Sequence, residues 1–191
     1  MRIASVIAAL AVPAVILGGV VVAEENSGRE LTSELTEWVD QAIPRADITN
    51  INLRGRPYIV SHSRDEVSTA YVDLAVPDTD ADVQLIVQNL NLNTDRAGQV
   101  RMFVTVPYPM PVKPVPTADG VLTPRAIIDG KKVEVRAELQ GRKVTVTTTD
   151  GRFLGGATIP RMPGLKLDHR AVTTDEGVQV SLVAQGVRAK S

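Results

Sequence analysis

One segment of this chain carries an apolar stripe with the helical period, and nearly everything after it alternates like a strand. Ser27 to Ile43 reads SGRELTSELTEWVDQAI, in which Leu31, Leu35, Trp38, Val39, Ala42 and Ile43 recur at spacings of three, four and seven. That spacing lines them up on one face of a helix. Glu30, Ser33, Glu34, Glu37 and Gln41 fall on the other face. Ser27 followed by Glu30 has the form of a capping box, which predicts the start of the helix, and Pro44 supplies no N–H donor, which predicts its end. So wide a stripe needs an apolar cover, and the rest of the chain has to supply it as sheet.

The downstream pattern fits that demand. Asp47 to Arg54 alternates Thr49, Ile51 and Leu53 against Asn50 and Asn52, predicting a first strand. Gly55-Arg56-Pro57 breaks it, and Tyr58-Ile59-Val60 reads as a short apolar segment ahead of the polar run 61–66. A second strand spans Val67 to Val76, with Ser68, Ala70, Val72, Leu74 and Val76 sharing a face. In the third, Asp82 to Leu92, the apolar positions change phase, which predicts a bulge near Asn89. The fourth places Val100, Met102, Val104 and Val106 together and turns Phe103 the other way. Prolines at 107, 109, 111, 114 and 116 predict an extended, unpaired stretch over 107–117, the best internal boundary. Hairpin turns follow at Asp119-Gly120, Asp129-Gly130, Gly141-Arg142 and Asp150-Gly151, then a strand over 165–173 and a closing one from Val178 to Ala184. The expected class is α+β: one long amphipathic helix packed against a curved, mostly antiparallel β-sheet.

The N-terminus bears on the compartment. After Arg2, the 21 residues from Ile3 to Ala23 carry no charge, and Glu24 and Glu25 follow. Residues 1–23 read either as an uncleaved membrane anchor, long enough to span a bilayer, or as a signal peptide with Val21 and Ala23 at the cleavage site. Both forms make an export segment and place residues 24–191, a single α+β domain, on the extracytoplasmic face of the plasma membrane, anchored or released into a periplasmic or secreted setting.

Composition narrows the chemistry. Hydrophobic residues make up 43% of the chain but aromatics only 3%, so the core is aliphatic. A net charge of -1 gives no footing for nucleic acid, and with no cysteine there is no disulfide, thiolate nucleophile or thiolate metal site. His62, in Ser61-His62-Ser63-Arg64-Asp65-Glu66, has hydrolase residue types around it but no strand-turn-helix elbow. His169, between Asp168 and Arg170, reads as the polar side of a strand. Asp78, Asp80 and Asp82 imitate the start of a calcium loop, yet Val83 stands where that loop needs Gly and Asn89 where it needs Glu. No P-loop or dinucleotide turn is present. The expectation is a non-enzymatic protein without cofactor or metal.

Two blocks of residues resemble a known family. Gly55-Arg56-Pro57-Tyr58 with Asp65-Glu66-Val67, and the closing run Ile159-Pro160, Gly164-Leu165-Lys166-Leu167 and Asp175-Glu176-Gly177-Val178, are similar to the signatures of the actinobacterial LmeA-like phospholipid-binding family. Arg56 stands where that family usually has an aromatic, and Asn89 where a Gly is expected. The resemblance implies a tubular lipid-binding-like fold, a helix wrapped by a curved sheet, and an envelope protein that binds phospholipid, with a role in lipoglycan or envelope lipid assembly. Leu35, Trp38, Tyr58, Ile59 and Phe103 are the residues expected to wall an acyl-chain site, and Arg54, Arg56 and Arg64 those expected to meet a head-group phosphate. The alternative is a structural or interaction domain of the envelope with a closed core and a protein partner docked on the Pro-rich stretch.

Overall fold

The computed structural model describes residues 3–77, 79–108, 113–114, 125–168 and 171–189, with the backbone course alone for 3–19 and 113–114. In chain order the elements are α1 (Ile3–Ala42), β1 (Asp47–Arg54), α2 (Tyr58–Ser63), β2 (Glu66–Ala75), β3 (Asp82–Asn91), β4 (Arg96–Pro107), β5 (Lys113–Pro114) and β6 (Arg125–Ile128). They continue with β7 (Lys131–Gln140), β8 (Lys143–Thr148), β9 (Phe153–Thr158), β10 (Lys166–Leu167), β11 (Val172–Thr173) and β12 (Gly177–Arg188). Every strand pairing is antiparallel. One sheet runs β1-β2-β3-β4-β12-β10, with β11 also on β12, and a second runs β5-β6-β7-β8-β9.

The fold is mostly antiparallel sheet, curled like half a barrel, with a helix near its N-terminus. The apolar stripe of α1 is where the sequence puts it: Leu31, Leu35, Trp38, Val39, Ala42 and Ile43 are buried with the inward rows of both sheets in one aliphatic core. The start of the helix is a correction. Ser27 does not cap it. α1 runs unbroken from Ile3, and Ser27 and Gly28 sit inside it. A capping box is a local signal, and here the upstream residues continue the helix through it. Pro44 does mark the end, with Ile43 N–H donating to Val39 O as the last turn.

The phase change near Asn89 is present but is not a bulge. Ser68, Asn89, Gly98 and Gly186 form one row across β2, β3, β4 and β12, and the register is the same on both sides of it. Asn89 (φ 52°) and Gly186 (φ 60°) are left-handed there. Buried residues consequently fall three apart, not two, in all four strands: Val67 and Ala70, Val87 and Leu90, Ala97 and Val100, Ala184 and Val187. A left-handed residue rotates the strand without inserting one, so the apolar face stays turned toward the core.

Three other expectations change. Tyr58-Ile59-Val60, read as a short apolar segment, opens the short helix α2, which continues into the polar run as far as Ser63. The Pro-rich stretch is partly paired: Pro107 opposes Gly177 at the end of β4, and Pro114 lies on β5, an edge strand, where a missing N–H is tolerated. The other residues of 109–117 and the turn at Asp119-Gly120 lie outside the described residues. The strand over 165–173 is reduced to two short pairings, β10 and β11, with His169 and Arg170 outside the described residues.

Candidate functional site

The largest of the cavities bordered by described residues lies beside β1, at the edge of the first sheet. It is a groove of about 740 Å³ between the α1 face Val20, Val21, Glu24, Gly28 and Thr32 and the β1 residues Ile51 and Leu53, with Pro57, Tyr58 and Ile59 also lining it. The α1 residues recur every three or four positions, which places them on one side of the helix. This is a different stretch of α1 from the buried stripe. The helix thus has a sealed half, 31–43, and an open half, 20–32.

Three attachments hold α2 against α1 and β1. Glu24 Oε1 accepts from Tyr58 N–H at 2.8 Å and Oε2 from Ile59 N–H at 3.2 Å, so a carboxylate of α1 satisfies the first donors of α2. His62 Nε2 meets Glu30 Oε2 at 3.0 Å. The Tyr58 hydroxyl donates to Leu53 O at 3.1 Å, and its ring lies so close to Gly28 that a Cβ there would come within 2.9 Å of Cδ2. Gly28 is what lets the ring reach α1. The Arg56 guanidinium lies 5.3 Å from the centre of the same ring.

Of the eight residues expected at a lipid site, the groove gathers Tyr58, Ile59 and Arg56. Leu35 is fully buried in the core, and Trp38 is sealed there as well, its Nε1–H donating to Asp95 O at 3.1 Å. The only space beside Trp38 among the cavities described is a polar recess of about 190 Å³ ringed by Glu34, Glu37, Gln41 and Asp65. Phe103 lies on the outward face of β4, between Gln84 and Ser181 of the neighbouring strands. Arg54 stacks over Tyr71 at 5.9 Å, and Arg64 borders a smaller cavity of about 310 Å³ on another side of α2, with Gly55, Ser61 and Asn89.

Val20, Val21, Glu24, Gly28, Ile51 and Leu53 were not among the expected residues. Their signal was in the sequence, as a second helical spacing ahead of the stripe, but it is visible only once α1 is known to continue upstream of Ser27. The His62 cluster does not assemble a nucleophile: the Ser61 and Ser63 hydroxyls donate to Gly55 O and Val60 O, and His62 faces a carboxylate. Among the described residues no group of three metal-ligating side chains comes together, and no helix is long and apolar enough to cross a membrane. Most of the run 1–23 lies outside the residues whose side chains are described.

Another cavity, of about 520 Å³, is bordered by Pro107, Tyr108, Lys143, Phe153 and Gly155. Tyr108 donates to Thr174 O at 3.1 Å. Burial, reinforced by the Asp175 charge, pushes its hydroxyl up to about 12, the hydrogen bond to Thr174 opposing the rise. Comparison of the chain with family models, curated proteins and solved structures finds no match.

Proposed function

We propose that this chain is a non-enzymatic phospholipid-binding protein of the cell envelope, acting at the extracytoplasmic face of the plasma membrane, and that an acyl chain lies in the groove between α1 and β1. The observation that carries the reading is the groove itself. Its volume, about 740 Å³, falls in the range of ligand sites, and Val20, Val21, Ile51, Leu53 and Ile59 give it apolar walls. At about 0.8 kcal/mol per buried methylene, about ten methylenes would supply roughly 8 kcal/mol, equivalent to micromolar affinity. Arg56 takes the head-group role in this reading. It borders the groove and is in no ion pair among the described residues, whereas the Arg29 beside it faces Glu25 at 3.6 Å. Arg54 and Arg64 stand away from the groove. Support of lipoglycan or envelope lipid assembly would follow from holding such a lipid.

Uptake of a fluorescent phospholipid by the purified full chain tests the proposal. Ile59→Glu is expected to abolish uptake and Arg56→Gln to weaken it for anionic lipids, and a wild-type chain that takes up none would sink the reading. One observation favours the alternative of a structural envelope domain without ligand: the Leu35 and Trp38 interface is closed, so the core needs no lipid to complete it.

A further inference from the structure

Five large apolar side chains are exposed among the described residues, and four of them belong to the two helices that frame the groove. Val20, Val21 and Val22 are 54%, 58% and 58% exposed on α1, and Val60 is 42% exposed on α2. The fifth, Phe153, is on β9 beside the cavity of about 520 Å³. Three consecutive residues of a helix point in directions about 100° apart. Exposure of all three therefore means that α1 is open to its surroundings over most of its circumference at this level.

Two of the three, Val20 and Val21, also line the groove, so the exposed patch and the groove wall are continuous. The patch directly follows the rest of the charge-free run of Ile3 to Ala23, and the first charges beyond it are Glu24 and Glu25. Those acids are occupied: Glu24 by the N–H groups of Tyr58 and Ile59, Glu25 by Arg29, and, a turn further on, Glu30 by His62. Arg56 and Arg64, one on each side of α2, are in no ion pair among the described residues, although Asp65 and Glu66 follow in sequence. An apolar surface of this kind, bordered by unpaired guanidinium groups, matches the boundary between acyl chains and anionic head groups.

We propose that Val20–Val22 of the uncleaved chain, together with Val60 on α2, form a membrane-docking surface, seated in an anionic phospholipid bilayer, so that the groove fills sideways from the bilayer and not through water. This deepens, and rests on, the reading of the groove as a lipid site. α1 then serves as a rail from bilayer to groove. Lining residues 20 to 32 span about 18 Å at 1.5 Å per residue, the depth over which an incoming chain would follow the helix.

The absence of native cysteine allows single reporters. Val22→Cys and Val60→Cys, neither of which lines the groove, and the exposed Glu37→Cys are each labelled with an environment-sensitive fluorophore. The full-length chain is reconstituted with phosphatidylglycerol–phosphatidylcholine vesicles containing a nitroxide-labelled lipid. Quenching at positions 22 and 60 is expected to exceed that at 37 by about fivefold or more. Val22→Glu is expected to slow loading of a long-chain fluorescent phospholipid from vesicles about tenfold, while leaving binding of a monomeric short-chain phospholipid unchanged. Quenching at 22 and 60 no greater than at 37 would overturn the proposal, as would Val22→Glu loading at the wild-type rate, or crosslinking between the Val22→Cys positions of two chains that shows the patch covered by a second copy. Quenching at 22 and 60 in a chain that binds neither lipid would uphold the docking surface and refute the lipid site.

Discussion

Replacing Leu35 by Ala asks whether the lower half of α1 is as sealed as its burial implies. Leu35 is 0% exposed and lies in the core shared by the helix and the inward rows of the sheet. The substitution removes three carbons, about 2.4 kcal/mol at about 0.8 kcal/mol per buried methylene. A residual cavity adds to this, because the surrounding strands relax only in part, and comparable replacements cost about 2.7–5.0 kcal/mol in total. Loss of about 3 to 4 kcal/mol is therefore expected. Urea titration of the full chain in one mild detergent measures it. Trp38, the single tryptophan, sits one turn away at 3% exposure and reports the transition. Phospholipid uptake is expected to persist wherever the variant is folded, since Leu35 does not border the groove. A loss under about 1 kcal/mol would refute the reasoning, for it would mean that the space around Leu35 is open or already occupied by something other than protein.

Trp38→Phe removes the Nε1–H bond to Asp95 O, but that carbonyl keeps Ala189 N–H as a partner at 3.2 Å. The cost is expected at the low end for a buried hydrogen bond plus the lost ring area, about 1 kcal/mol, read by thermal unfolding followed by circular dichroism. Gly177→Ala would set a Cβ against the backbone carbonyl of Val106, with Pro107 Cα at 3.0 Å, where neither neighbour can swing away. It is expected to destabilise by several kcal/mol and to raise hydrogen exchange along β4 and β12; a near-neutral effect would contradict the pairing at that end. Tyr108 gives a pH signature. Its phenol is neutral in the fold up to about 12 against an ordinary 10, so the folded chain keeps a proton that the unfolded chain has released in between. Its contribution to stability is full below pH 10 and is lost as pH rises toward 12, and Tyr108→Phe is expected to remove that part of the alkaline loss. Phenolate absorbance should show one of the three tyrosines titrating last.

Elements whose signal is carried by their own residues were legible in the sequence. β1 occupies Asp47–Arg54 and holds Ile51 and Leu53 on one face as their alternation indicates, although a register shift between Ile48 and Asn50 leaves Thr49 exposed and puts Ile48 against the core in its place. The two-residue turn at Asp129-Gly130, with φ of 50° and 74°, joins β6 to β7 as a turn of that composition should. The buried stripe of α1 was legible for the same reason. What misled was a local motif with a non-local context. Ser27 and Glu30 have the chemistry of a helix start, but the residues before them form helix too, and that hid the groove-lining face from Val20 to Thr32. The six residues of α2 are too few for a period to be read, and their helix depends on Glu24, 34 positions upstream, satisfying the N–H of Tyr58. The row through Asn89 shows a further limit. A change of phase was visible in β3, but only pairing distinguishes an inserted residue from an in-register row across four strands that is left-handed at Asn89 and Gly186.

The same division explains the site residues. Tyr58 and Ile59 were identified because aromatic and aliphatic side chains stand out near a Gly-Pro break. Leu35, Trp38 and Phe103 have the same chemistry but are placed elsewhere, two in the sealed core and one on the outward face of β4.

The most direct measurement is the phospholipid content of the purified full chain, by lipid extraction and mass spectrometry, compared between wild type, Ile59→Glu and Leu35→Ala. The account predicts about one phospholipid per chain in the wild type, retention in Leu35→Ala, and loss in Ile59→Glu with folding intact. No bound phospholipid in the wild type, or an equal amount in Ile59→Glu, would contradict it.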